Sequence, residues 1–167
     1  VILLFCGIPG SGKTTIADLL AARLSTLTRA KVLSSDRLKS PVYRRIFKTL
    51  ESERGEEEFL LLDATFYKKE WRERVAALGG AERVVTIFLD CPREVAVKRN
   101  RERRPNITER ALHIVYYKME PPENPDLRIA TSTTTAEAAA ERIYEWINSN
   151  KAKVESKKAK VKEPVFF

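Results

Sequence analysis

Six apolar residues, Val1 to Cys6, run without a polar break and stop at a glycine. A short run with no alternation reads as a strand buried on both faces, as in parallel sheets. The pattern then switches period. Ile16, Leu19, Leu20, Leu24 and Leu27 recur at helical spacing, which predicts a first helix with one apolar stripe. The same switch repeats along the chain. Strands are expected at 31–35, Phe59–Asp63, 83–90 and Leu127–Ala130, the fourth rich in β-branched residues. Helices are expected at 41–54, with Val42, Ile46, Phe47 and Leu50 on one side, and at 69–78. Pro92 should open a further helix that runs into 98–104 and stops at Pro105. Another helix is expected at 108–118. Thr134 with Glu137 forms a capping box for the last, ending near Asn148. Strands alternating with helices give an α/β fold, expected as a three-layer sandwich: a parallel five-stranded sheet with helices on both faces.

The first strand-to-helix junction reads Gly7-Ile8-Pro9-Gly10-Ser11-Gly12-Lys13-Thr14-Thr15. This is G-x-x-x-x-G-K-T, the Walker A or P-loop pattern, in its proper place between strand and helix. Gly7, Pro9, Gly10, Ser11, Gly12, Lys13, Thr14 and Thr15 are therefore the expected nucleotide-binding residues. Glycines allow the tight turn, and backbone N–H groups with the helix N-terminus cradle phosphate. Lys13 is expected at the β- and γ-phosphates and the Thr14 hydroxyl on Mg²⁺. The implied ligands are ATP and Mg²⁺.

Three further features fit phosphoryl transfer, which needs a held metal, a positioned acceptor and positive charge on the transferring group. Phe59-Leu60-Leu61-Leu62-Asp63 has the form of a Walker B strand, with Asp63 a metal-side carboxylate or a cap of the following turn. Asp36 follows the second strand, where ligands of such sheets bind, and suits a general base or a helix N-cap. Residues 98–104 pack five cations into seven positions, a lid over the nucleotide or a solvated helix face. After Asp63, Thr65, Tyr67, Trp71 and Arg72 interleave aromatic and polar groups that can hold an acceptor or belong to the core. His113, the only histidine, is read as structural.

Composition changes the picture little. The 167 residues carry a formal charge of +8, with 31 Lys and Arg against 23 Asp and Glu. Six lysines and two glutamates fall between Lys151 and Glu163, so half of that charge sits in the tail. ATP satisfies such a charge as well as RNA does. The organisation is read as a domain at 1–150 and a basic, flexible tail at 151–167. No apolar run is long enough to cross a bilayer. The first residue is Val1, so the natural N-terminus is expected upstream. Cys6 and Cys91 lack metal spacing and suit a reducing cytoplasm. The N-K-x-D element of GTPases is absent: Asn150-Lys151-Ala152-Lys153 lacks the Asp.

GIPGSGKTT, SSDRLK, LLLDATFYKKEWRERV and DCPREVAVKRNRERR together resemble the small P-loop kinases, a group with adenylylsulfate kinases, polynucleotide 5′-kinases and seryl-tRNA(Sec) kinases. The likeness covers about residues 1–148. Residues 120–129 resemble a segment of the adenylylsulfate kinases. The resemblance implies Asp36 as general base, Asp63 and Thr65 as the D-x-T/S pair, and Arg99 and Arg103 as lid arginines. It implies a catalytic set of Lys13, Asp36, Arg99 and Arg103. The chain departs from the polynucleotide kinases in having Asp36-Arg37-Leu38-Lys39 where they carry D-x-x-R. Arg37 or Lys39 is then expected on acceptor phosphate. It lacks the F-T-G-I-type insertion of adenylylsulfate kinases, and its 17-residue tail is too short for the tRNA-binding domain of seryl-tRNA kinases. The expectation is an ATP-dependent kinase acting on a hydroxyl of an RNA, tRNA or nucleotide-linked acceptor. The alternatives are a small-molecule kinase, such as one for adenylylsulfate, and a non-kinase ATP-binding adaptor for tRNA. Oligomeric state is not legible.

Overall fold

A computed structural model describes residues 1–52, 57–80, 84–103 and 107–150. The elements run β1 (Ile2–Cys6), α1 (Lys13–Ser25), β2 (Ala30–Ser34), α2 (Val42–Ser52), β3 (Phe59–Asp63), α3 (Lys69–Gly79), β4 (Val84–Asp90), α4 (Arg93–Glu102), α5 (Glu109–Tyr117), β5 (Leu127–Ala130) and α6 (Ala136–Ser149). The expected ends at Arg54 and Arg83, the breaker Pro105, Arg104 and the tail at 151–167 lie outside the described residues.

The five strands form one parallel sheet in the order β2-β3-β1-β4-β5. β1 is central, and its unbroken apolar run serves both faces. Leu3 and Phe5 point into one core with Ile16, Leu20 and Leu24 of α1 and Ile143 and Ile147 of α6. Ile2, Leu4 and Cys6 point into the other, against Ile46, Phe47 and Leu50 of α2 and Val75 of α3. Each fully buried Leu of this kind contributes about 1.5–3 kcal/mol by leaving water. A small third cluster, Ile8, Cys91 and Ala96 with Val115 and Met119, seats α4 and α5 against the loop after β1.

Two expectations shift. Leu27 does not join the stripe of α1: the helix ends at Ser25, the Leu27 and Thr28 N–H groups both turn back onto the Leu24 carbonyl, and Leu27 is 71% exposed. The cap of α6 is Thr135, not Thr134; the Thr135 hydroxyl accepts from the Ala138 N–H at 3.2 Å. Three consecutive threonines offer three caps, and the apolar face of α6 selects the one that buries Ala139, Ala140 and Ile143.

Candidate active site

The carboxyl ends of β1, β2 and β3 open into one cavity of about 410 Å³. Its wall brings together Pro9, Gly10, Gly12, Lys13, Thr14 and Thr15 from the P-loop, Asp36 after β2, Asp63 and Thr65 from β3 and its loop, Arg99 from α4 and Arg103 just after it. Ser35 and Ile107 complete it. Crevices beyond the carboxyl ends of parallel strands are where such sheets bind ligands.

The P-loop is shaped by its neighbours. Gly10 and Gly12 have φ of 84° and 91°, the left-handed region that glycine enters without strain. A Cβ on Gly10 would lie 2.6 Å from the Ala96 carbonyl of α4, so that glycine also lets a helix close over the loop. Gly7 and Ser11 stand behind the wall, where a Cβ on Gly7 would meet the Leu89 carbonyl at 2.7 Å and Ser11 Oγ at 2.8 Å. Gly12 begins α1 with no side-chain cap, which leaves first-turn N–H groups for an incoming anion. Lys13 is 7% exposed, and its Nζ donates to the Gly7 and Ile8 carbonyls, each at 2.9 Å. Burial lowers its pKa from the usual lysine range, and the Asp63 charge opposes that shift.

Asp63 is fully buried. The sheet register sets Ser34 directly beside it, and Ser34 Oγ donates to Asp63 Oδ2 at 2.6 Å. Asp63 Oδ1 is buried with no hydrogen-bond partner among the described residues. A buried carboxylate oxygen without a donor is costly unless something else claims it. The hard-oxygen set of Thr14 and Asp63 beside a buried lysine suits Mg²⁺, which favours few carboxylates plus substrate phosphate. The residues present therefore fit that ion.

Asp36 lies on the open side. Its carboxylate is 38% exposed and pairs with Arg103, itself 36% exposed. Arg99 is tied elsewhere, donating from Nη2 to the Thr131 carbonyl beyond β5 at 2.6 Å. Asn100 between them is 2% exposed and clamps the chain after α4: its Nδ2 donates to the Ile107 carbonyl at 2.6 Å, and its Oδ1 accepts from the Ile107 N–H at 3.0 Å. Ser34, Ser35, Asn100 and Ile107 were not among the expected site residues. Ser34 and Ser35 lie in SSDRLK and Asn100 in DCPREVAVKRNRERR, two of the segments that carry the resemblance, but none has a pattern of its own.

The acceptor-side residues scatter. Arg37 pairs with Asp18 of α1 at 2.5 Å on the surface, and Lys39 is exposed; neither lines the cavity. Tyr67 packs edge-on against Trp71, and Arg72 Nη1 donates to the Phe66 carbonyl at 2.7 Å. Trp71 stacks on Tyr43 at 3.8 Å between ring centres. Thr65 does face the cavity, and the Tyr43 hydroxyl holds it at 2.8 Å. Tyr43 also accepts the Phe66 N–H at 3.0 Å. Phe66 has φ of 42°, an unfavourable conformation for a bulky residue, costing about 1–3 kcal/mol. Full burial, Tyr43 and Arg72 hold it there. Burial pushes the Tyr43 phenol up to about 12 and the Cys6 thiol up to about 11, so both are protonated at neutral pH. His113 sits on α5 against Arg93, outside the cavity wall.

Solved structures resemble the chain over most of its length. The Mycobacterium tuberculosis APS kinase CysC, solved with AMPPNP and APS, superposes with a TM-score of 0.70 at 20% identity, covering 88% of this chain and 96% of that one. Kti12 of Chaetomium thermophilum, in complex with ADP-AlF3, gives 0.68 at 19% identity, with 88% and 99% covered. A fungal RNA kinase gives 0.67 at 13% identity, with 98% and 97% covered. At these identities the likeness establishes the fold, that of the P-loop kinases. No curated protein matches the sequence. No helix among the described residues is long and apolar enough to cross a membrane. A family model described as AAA domain matches residues 2–122, most of the chain, and the protein belongs to that family.

Proposed function

We propose that this chain is an ATP- and Mg²⁺-dependent kinase that moves the γ-phosphoryl group to a hydroxyl of a nucleic-acid or nucleotide-linked acceptor. The carrying observation is a pair of carboxylates at different depths of one cavity. Asp63 is sealed, with one oxygen unclaimed by the described residues, whereas Asp36 is open to an incoming acceptor. Two carboxylates in unlike surroundings suit unlike roles.

Lys13 exchanges its two carbonyl partners for phosphate oxygens, and the first turn of α1 supplies N–H donors. Thr14 and Asp63 hold Mg²⁺, which when bound neutralises phosphate charge. Asp36 accepts the proton of the attacking hydroxyl. Arg103, just past the end of α4, pairs with Asp36, and its guanidinium can offer a bidentate contact to a γ-phosphate. Arg99 adds charge from α4. Residues 1–150 carry this activity, 151–167 are a basic appendage, and the protein works in the cytoplasm, where its buried free thiols persist.

The test is single-turnover transfer from γ-labelled ATP with three acceptors offered separately: RNA bearing free hydroxyl ends, adenylylsulfate, and water alone. Label on RNA is the expected result. Label on adenylylsulfate alone would move the reading to a small-molecule kinase, and label in inorganic phosphate alone would overturn the kinase reading in favour of an ATPase adaptor.

A further inference from the structure

We infer that the outer face of α5, braced by Arg93 of α4, is a docking surface for single-stranded nucleic acid. The inference deepens the acceptor class proposed above and rests on that reading for its biological sense, though not for its test.

Five large apolar or aromatic side chains stand exposed among the described residues, and three of them, Ile114, Tyr116 and Tyr117, fall within four consecutive positions of α5. Tyr117 is 72% exposed. Aromatic surface left in water on one turn of one helix is the feature that marks a contact site. The rings are also fixed in place. Tyr116 and Tyr117 meet edge to face at 5.6 Å, and His113 lies 6.1 Å from Tyr117. The Arg93 guanidinium hydrogen-bonds the His113 ring at 2.6 Å and sits 6.0 and 5.9 Å from the two tyrosine ring centres. Its Nε is buried without a hydrogen-bond partner among the described residues.

Charge selects the occupant. Arg110 and Lys118 are exposed one helical turn to either side of Ile114 and share its face. The nearest acid on the helix, Glu109, is engaged by Arg101 at 2.7 Å, and that arginine holds its carboxyl below the usual range. An apolar protein partner would bury these cations unpaired, at a cost. A single strand uses both features: bases stack on the tyrosines, and phosphates meet Arg93, Arg110 and Lys118. Arg99 of α4 and Arg103 just after it line the cavity, and Ile107, two residues before α5, completes its wall.

The experiment is fluorescence anisotropy of the full chain with a labelled oligouridylate and no ATP. Wild type should bind. Tyr117→Leu keeps apolar bulk but loses the π-face, and should weaken binding about tenfold. Lys118→Gln should lower the salt dependence of binding by about one counterion. Both side chains are exposed, so neither change disturbs the core, and calorimetric ATP affinity should stay at the wild-type value. Absence of oligouridylate binding, or equal binding by Tyr117→Leu, overturns the inference. So does self-association of the chain in sedimentation that Tyr117→Leu abolishes, since the face would then join two copies. Failure of the kinase reading would show as absent label transfer, which this binding measurement does not involve.

Discussion

The two halves of the cavity are built by different means. The phosphate half is made of backbone and buried side chains: Gly10 closed under α4, Lys13 at 7% exposure, and Asp63 fully sealed beside Ser34. The open half, which the proposed reading gives to the acceptor, is made of half-exposed side chains such as Asp36 and Arg103, joined by an ion pair. In the first half geometry is fixed before any ligand arrives, which is how donors act without reorganising. In the second the pair is open to water and weak, so a ligand can take it over. On the proposed reading, one fold can therefore keep the same phosphate chemistry while its acceptor changes, because the residues on the open side do not hold the sheet together.

The harshest way to break this comparison is to damage the rigid half. Gly10→Ala forces a Cβ to within 2.6 Å of a helix carbonyl at a φ of 84°, so the loop and α4 must separate. Lys13→Ala removes the buried ammonium. Each should weaken ATP binding about 100-fold or more, the scale of a lost charged hydrogen bond, as read by titration calorimetry with Mg²⁺ present. Tight ATP binding by Lys13→Ala would mean that the two halves do not differ as argued.

The open half should respond differently. Asp36→Asn should leave ATP affinity within about twofold while slowing single-turnover transfer by about two to four orders of magnitude, the usual contribution of a general base. Unchanged transfer would remove Asp36 from the chemistry. A parallel loss of ATP affinity would instead make Asp36 part of the phosphate half.

The same division governs what the sequence reveals. β1, its P-loop and α1 are legible because each signal is local: an apolar run, glycines at fixed offsets, then helical spacing. Asp63 is legible as the polar end of an apolar strand. Its pairing with Ser34 is not, since the two meet only through the register of β2 against β3, 29 residues apart in the chain. Asn100 reads as one more polar residue in a basic run, yet it is the buried clamp of that run. Charge and aromaticity single out Arg37, Lys39, Tyr67 and Arg72, but they do not say where a long side chain turns. Arg37 turns to α1, and Arg72 turns to a carbonyl in its own loop. Tyr43, which braces Thr65, carries no motif at all.

Tyr43 therefore sharpens the boundary between the halves. Its hydroxyl belongs to α2, but it fixes the loop that follows β3. Tyr43→Phe leaves the Phe66 N–H and the Thr65 hydroxyl without that partner and should cost about 1–3 kcal/mol in urea unfolding. Because Thr65 faces the cavity from the acceptor side, the acceptor KM should rise while the ATP affinity holds.

The smallest effect lies outside both halves and calibrates the rest. Thr135→Ala deletes the acceptor for the Ala138 N–H and should cost about 1 kcal/mol of stability, whereas Thr134→Ala should change it by less than about 0.5 kcal/mol. Neither should touch ATP affinity, because α6 packs on α1 and the sheet without reaching the cavity. The reverse order of costs would put the helix start one residue earlier, on the Thr134 and Glu137 pair that the local pattern favours. If either variant weakened ATP binding, stability alone would be moving the phosphate half, and the loss seen for Lys13→Ala could no longer be read as a lost contact.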